Sequence, residues 1–313
     1  MSIIKRVPIA MSALALGVAG LGNLLASYSP LVRPVCGAVA ASLVALIVLR
    51  VLVDSRGVAA ELSTPAGLAV LPALFMATML LSTHLQPWAP LIAVSLWLAA
   101  IAAQLLTTAV FARRYLFSLD MKHVLPSWFL IFVGYVVASV TSPAFSMEPL
   151  GRALLYAGLL GYVAALVLIT YRVARGASLP EPALPTLAIY AAPPSLCLAG
   201  YLAVTADKQP AIVYALLAVS VVSMAYVLTR LPRILRLSFC PSCAALAFPF
   251  VITAIALKQS GSFLATNGDT TIPAFAIQAA ELAALAMVVY VFARYVMFLA
   301  TPAPQPSGPG DPA

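Results

Sequence analysis

Ten prolines punctuate this chain at nearly even intervals, and that spacing constrains its fold more than any other feature. Pro8, Pro34, Pro65, Pro90, Pro126, Pro149, Pro185, Pro210, Pro241 and Pro273 each stand near the start of an apolar segment. The segments cover about 8–28, 32–53, 66–84, 89–111, 124–142, 149–172, 184–205, 209–230, 240–258 and 272–299. Each is close to the ~20 residues that cross the hydrocarbon core of a bilayer. Proline is favoured at the first helical position, where its missing N–H costs nothing. The odd starts (8, 65, 126, 185, 241) lie 57, 61, 59 and 56 residues apart, and the even starts (34, 90, 149, 210, 273) 56, 59, 61 and 63. That is the period of one helical hairpin, repeated five times. A hairpin crosses twice, so all five copies point the same way and relate naturally by rotation about the membrane normal. The expected fold is all-α integral membrane: ten transmembrane helices as five parallel helical-hairpin repeats around a central pore. Odd helices form the inner ring and even helices the outer.

Composition agrees. The 313 residues are 63% hydrophobic and 8% charged, too few charges to cover a soluble domain of this size. The basic residues sit at span ends and form no patch with interleaved aromatics, so no nucleic-acid partner is expected. One side collects Lys5, Arg6, Arg50, Arg56, Arg113, Arg114, Lys122, Arg172, Arg175, Arg230, Arg233, Arg236 and Arg294; the other has Arg33, Arg152, Lys208 and Lys258. This bias places both termini in the cytoplasm. Lys5 and Arg6 precede the first span as in a signal peptide, yet the apolar run is long and no small-x-small cleavage site follows. An uncleaved first helix is expected. Residues 1–300 form the transmembrane domain, and the Pro/Gly-rich residues 301–313 a disordered cytoplasmic tail.

Interior prolines occur only in odd segments. Pro72, Pro193, Pro194 and Pro249 fall 7, 8, 9 and 8 residues after the starting proline of their own repeat. Gly134 takes the +8 place in the fifth segment; in the first that place is Leu16, with Gly17 beside it. Breaks at one depth in every odd helix predict a shared mid-membrane constriction, with Gly17, Pro72, Gly134, Pro193 and Pro194 lining it. An interior proline frees a carbonyl and bends its helix, which hydrocarbon tolerates only where other protein or water re-satisfies the backbone. In the ninth segment, Cys240 to Lys258, Phe248 stands just before Pro249 among Ala244, Ala245 and Ala247. A large ring on so slim a helix is either an ordinary packing residue or a plug across a narrow path, and this stretch alone leaves both readings open.

Few residues carry other chemistry. Arg33, Arg152 and Lys208 each lie within three residues of a proline that starts an even helix. They form a cationic outer rim that concentrates anions, or else snorkelling interfacial charges. Glu281 is the only acid well inside a span and a functional candidate for that reason. It is read as a neutral or hydrogen-bonded structural group, with proton coupling as the alternative. Cys240 and Cys243 have the C-x-x-C spacing of redox and soft-metal sites, but no second cysteine pair completes a metal site. His84 and His123 sit at span ends. No hydrolase elbow, phosphate-cradling glycine loop or carboxylate pair is present, so no enzyme, catalytic residue, metal or cofactor is expected. Three alternatives stand beside a pore: a ten-helix drug/metabolite-type exporter of two inverted halves, a membrane thiol oxidoreductase using Cys240 and Cys243, and a scaffold without a path. The first needs a repeat near half the chain length, and the second needs both thiols.

The run Pro241-Ser242-Cys243-Ala244-Ala245-Leu246-Ala247-Phe248-Pro249-Phe250 resembles the ninth helix of the tellurite-resistance/dicarboxylate transporter family. That family includes the TehA-like channels and the slow-type anion channels of plant guard cells. Leu125-Pro126-Ser127-Trp128-Phe129 resembles its fifth helix. Leu184-Pro185-Thr186, Ala192-Pro193-Pro194-Ser195 and Gly200-Tyr201-Leu202 resemble its seventh. Pro8 with Leu16-Gly17 and Gly20-Leu21 resembles its first. The resemblance implies a homotrimer in the bilayer, with a pore in each protomer gated by a phenylalanine at the position of Phe248. The family often has glycine where this chain has Ala13, close to the packed gate ring, and Ala13 joins the pore-lining candidates on that ground. The tryptophans common early in the ninth helix are replaced here by Cys243 and Ala244. The expected function is a membrane anion channel or transporter of the bacterial inner (plasma) membrane. Tellurite, a small dicarboxylate, sulfite and a halide-like anion remain open as substrates.

Overall fold

The computed structural model describes residues 3–117, 120–175, 179–268 and 271–301. The apolar helices follow one another as α1 (Met11–Leu25), α2 (Val32–Val53), α3 (Pro65–Leu85), α4 (Pro90–Leu116) and α5 (Trp128–Phe145). They continue as α6 (Glu148–Ala174), α7 (Glu181–Val204), α8 (Pro210–Leu235), α9 (Pro241–Thr266) and α10 (Ala274–Ala300). No strand occurs among the described residues. The expected tail beyond Thr301 lies outside them.

The packing order is cyclic. α1 touches α3, α3 touches α5, α5 touches α7, α7 touches α9, and α9 returns to α1. Each even helix packs on the odd helix of its own hairpin and on the next odd helix, and α10 closes back on α1. Burial follows the same division. Over their most apolar stretches, α3, α5, α7 and α9 are 56–89% buried and the even helices 17–33%. The even helices turn leucines such as Leu52, Leu91 and Leu160 outward, as suits a lipid-facing wall. The odd helices carry the small residues and prolines that let neighbours approach closely.

The odd helices are not kinked α-helices. In α7 a 3₁₀ stretch, Glu181–Ala191, gives way to an α-helix over Ala192–Val204. In α9 the 3₁₀ stretch Pro241–Leu246 precedes the α-helix Ala247–Thr266. In α3 the change falls between Pro65–Val70 and Pro72–Leu85, and in α5 a 3₁₀ turn over Gly134–Val136 follows Trp128–Val133. This corrects the expectation of a mid-helix bend at Pro249. Pro249 is the third residue of its α-helix, Pro193 and Pro194 the second and third, and Pro72 the first. In a first turn the missing N–H has no α-helical partner to lose. The residues just before it close 3₁₀ bonds instead, as Ala192 does to the Ile189 carbonyl and Ala247 to the Ala244 carbonyl. Carbonyls near the α5 break are taken by the outer helix α4. Gln104 Nε2 donates to the Leu130 carbonyl at 3.2 Å and Thr108 Oγ1 to the Ile131 carbonyl at 2.8 Å.

The first hairpin departs from the expected lengths. α1 has 15 residues, about 22 Å at 1.5 Å per residue, short of the ~30 Å hydrocarbon core. The non-helical residues ahead of it are pinned by an ion pair. Arg50 Nη1 of α2 meets Glu61 Oε2 at 2.6 Å and donates to the Val7 carbonyl at 2.5 Å; Glu61 Oε1 accepts the Ile9 N–H at 3.1 Å. α9, in contrast, extends to Thr266, so Lys258 lies within the helix and not at the end of the span.

Candidate functional site

Two cavities lie between the odd helices, and Phe248 borders both. The lower one, on the side of the helix starts, leaves about 30 Å³ and draws Ala10 and Ala13 from the start of α1, Val70 from α3, Leu130 from α5, Ile189 from α7 and Ala245 from α9. The outer one leaves about 110 Å³ and takes Asn23 from α1, Leu80 from α3, Val137 from α5, Leu196 from α7 and Ile252 from α9. Every odd helix thus contributes to each cavity. Beside the ring, a collar that includes Leu130, Gly134, Ile189, Pro193 and Leu196 borders a third, smaller space together with Phe248. Phe248 is 4% exposed, and the lower cavity presents no polar surface. An ion there would meet a wall of apolar surface, although Thr186 and Ser242 are among the residues that border it.

The ring is held from the α1 side by two glycines. A Cβ on Gly17 would stand 2.6 Å from Ala247 Cβ and 3.2 Å from the Phe248 nitrogen, and one on Gly20 would stand 2.9 Å from Val251 Cγ1 and 3.8 Å from Phe248 Cε2. α1 and α9 therefore touch backbone to backbone beside Phe248. On the α7 side, Ser195 Oγ donates to the Ala191 carbonyl at 2.8 Å and meets Thr253 Oγ1 at 2.9 Å. Gly17→Ala is expected to lower the melting temperature of the purified protein by several degrees, since overpacking a tight contact costs about 1–3 kcal/mol. An unchanged melting curve would show that α1 and α9 are not in contact here.

The chain matches the profile of the SLAC1 family, described as voltage-dependent anion channel, over residues 6–298. It belongs to that family. Among curated proteins, none matches the chain. The match runs from before α1 to within two residues of the end of α10 and agrees with the resemblance carried by the ninth-helix run around Phe248. The chain is accordingly a multi-pass membrane protein of an anion-channel family.

Within this member of the voltage-dependent anion channel family, the candidate lining residues divide. Ala13 lines the lower cavity, and Gly134 and Pro193 stand in the collar beside Phe248. Pro249 lines the lower cavity next to the ring it follows. Gly17 packs on the α9 backbone, while Pro72 and Pro194 are buried at helix starts and border none of the three spaces around Phe248. The rim cations divide too. Arg152 donates to the Val204 carbonyl at 3.0 Å, at the outer end of α7, and Lys208 borders a polar surface hollow with Asp207, Gln209 and Asn267. Arg33 turns inward, onto Asn23 and Thr83.

Glu281 is 4% exposed and borders neither axial cavity. Its Oε1 pairs with Lys258 at 2.7 Å and its Oε2 accepts from the Tyr28 hydroxyl at 2.6 Å. Lys258 also donates to Ser27 Oγ and the Leu24 carbonyl. Of the two expected forms, neutral or hydrogen-bonded, the carboxylate takes the hydrogen-bonded one and is ion-paired as well, and it joins α10 to α9 and to the end of α1. Cys243 is buried, and Cys240 Sγ lies 3.2 Å from Ser242 Oγ. No group of three metal-binding side chains occurs among the described residues. The polar residues missed by sequence reading are Asn23 and Gln259 of the outer cavity. Neither is a charge in an apolar run, so hydropathy did not single them out.

Proposed function

We propose that this protein passes small anions through a path of its own in each protomer, and that the Phe248 ring closes that path. The observation that carries the reading is that Phe248 alone borders the lower cavity, the outer cavity and the collar between them. Pro249 sets the start of the α-helix that presents the ring. The α-helical parts of α3, α7 and α9 begin at similar positions in their repeats, and helix starts carry partial positive charge that favours an anion. An ion left bare in hydrocarbon costs of order tens of kcal/mol by idealised Born estimates, so the dry collar is a closed state and conduction requires the ring to move. Arg152 and Lys208 supply positive charge near the outer mouth.

The protein works in the bacterial inner membrane with both termini in the cytoplasm, as the cation bias supports, and assembles as a homotrimer. It is of the tellurite-resistance/dicarboxylate type, with tellurite, small dicarboxylates, sulfite and halide-like anions as the panel to test. Reconstitution into liposomes with an anion-flux readout over that panel tests the reading. Flux of at least one anion above protein-free vesicles is expected; a folded protein that passes none would remove it.

A further inference from the structure

The outer cavity contains one side chain whose hydrogen-bonding sense is forced by its neighbour. Asn23, near the end of α1, lines the cavity. Its Oδ1 accepts from Arg33 Nε at 3.1 Å. Arginine has donors only, so the amide oxygen must face Arg33 and the Nδ2 hydrogens face away from it. Arg33 is itself held by Thr83, whose carbonyl and Oγ1 lie 3.4 and 3.3 Å from Nη2. None of these partners is acidic, so the guanidinium charge is not cancelled where it sits. Of the other cations of this end that reach between helices, Arg152 rests on the Val204 carbonyl at 3.0 Å and Lys258 is paired with Glu281 at 2.7 Å. Much of the cavity wall is aliphatic, including Leu80, Val137, Leu196 and Ile252, with Gln259 exposed toward solvent.

We infer that Asn23 coordinates the permeating anion in the outer cavity, with its amide N–H groups turned to the path by Arg33, and that it selects singly charged anions that accept hydrogen bonds. The inference rests on the channel reading above. It follows from what the wall supplies. The Asn23 amide, backed by one guanidinium that does not itself line the cavity, and the solvent-facing Gln259 amide offset the desolvation of a single charge. The Born cost rises with the square of the charge, so a dianion in the same 110 Å³ space loses about four times as much hydration, with only the solvent-facing Gln259 amide as a further side-chain donor to replace it. Arg33 acts here as a positioning residue: its Nε is committed to Asn23 and its Nη2 to Thr83, where a simple attracting charge would stand free in the mouth.

The test uses the full chain in planar bilayers with Phe248→Ala as the parent, which leaves the path open, and chloride, nitrate and sulfate as probes. The parent is expected to pass chloride and nitrate in preference to sulfate. Asn23→Leu, similar in size but without donors, is expected to raise the half-saturating chloride concentration about tenfold, the usual effect of losing a hydrogen bond to a charged group. Asn23→Asp, which keeps a partner for Arg33 but replaces the donors with a negative charge, is expected to abolish anion current; it also covers the case in which the leucine variant does not fold. Arg33→Met is expected to match Asn23→Leu in the parent and to add nothing in the Asn23→Leu background. Unchanged chloride saturation in Asn23→Leu, sustained anion current in Asn23→Asp, a further loss from Arg33→Met on top of Asn23→Leu, or equal passage of sulfate each overturns the inference. A folded parent that carries no anion overturns the channel reading first, and the two failures are thereby distinguished.

Discussion

Phe248→Ala raises anion conductance at least tenfold over the wild-type protein. The ring borders the lower and outer cavities at once, and removing it joins them past a collar whose other walls are borne on helices. Water then enters, and the ion no longer crosses a dry stretch. Each ~1.4 kcal/mol taken from the barrier is tenfold in rate, a small fraction of the tens of kcal/mol that a bare ion in hydrocarbon costs by Born estimates. Phe248→Leu, which keeps much of the bulk, falls between the two. Truncation of a buried phenylalanine costs about 3–5 kcal/mol of stability in soluble cores, so conductance is compared per folded channel by single-channel recording. Unit conductance equal to wild type in a folded alanine variant would falsify the gate.

The second large effect is on stability. Glu281→Ala leaves Lys258 without its acid and removes the acceptor of the Tyr28 hydroxyl, whose bond to Glu281 holds the phenol above its ordinary range. Breaking a buried ion pair from one side costs about 3–5 kcal/mol. The lower end applies here, because the Lys258 side chain is 31% exposed and water relieves part of its charge. The melting temperature in detergent should fall by several degrees. The double variant Glu281→Leu with Lys258→Met should recover most of that loss, since it leaves no stranded charge. A single variant as stable as wild type, or a double variant no better than the single, contradicts the structural role. Proton coupling through Glu281 requires a different result: a pH-dependent flux that vanishes in the variant while stability stays constant.

Much of the fold was legible because membrane spans are punctuated chemically. Proline and hydropathy mark where a helix starts, and the even helices, whose surroundings are lipid, begin close to their prolines at 90, 149 and 210. The odd helices were harder. Their interior prolines read as bends, because sequence gives a proline's position in a segment but not the hydrogen-bond pattern ahead of it. Only the three-dimensional chain shows that Pro193, Pro194 and Pro249 stand in first turns after 3₁₀ stretches. The candidate site was legible at Phe248, where a large ring on a slim helix drew attention, and at Ala13, Gly134, Pro193 and Pro249, which also border the spaces around it. Asn23 went unnoticed because an uncharged amide among leucines and glycines has no signature until Arg33, ten residues on, is folded against it.

The sequence by itself determined the membrane environment, the five-hairpin repeat and the division into inner and outer helices. These follow from residue type and spacing, which the bilayer reads locally. The tertiary structure decided what the charges do. Lys258 and Arg33 both count as outer cations along the chain, yet one is cancelled by Glu281 and the other is spent on an amide. A charge's role depends on which group reaches it across helices, and that distance exists only after the ring has closed.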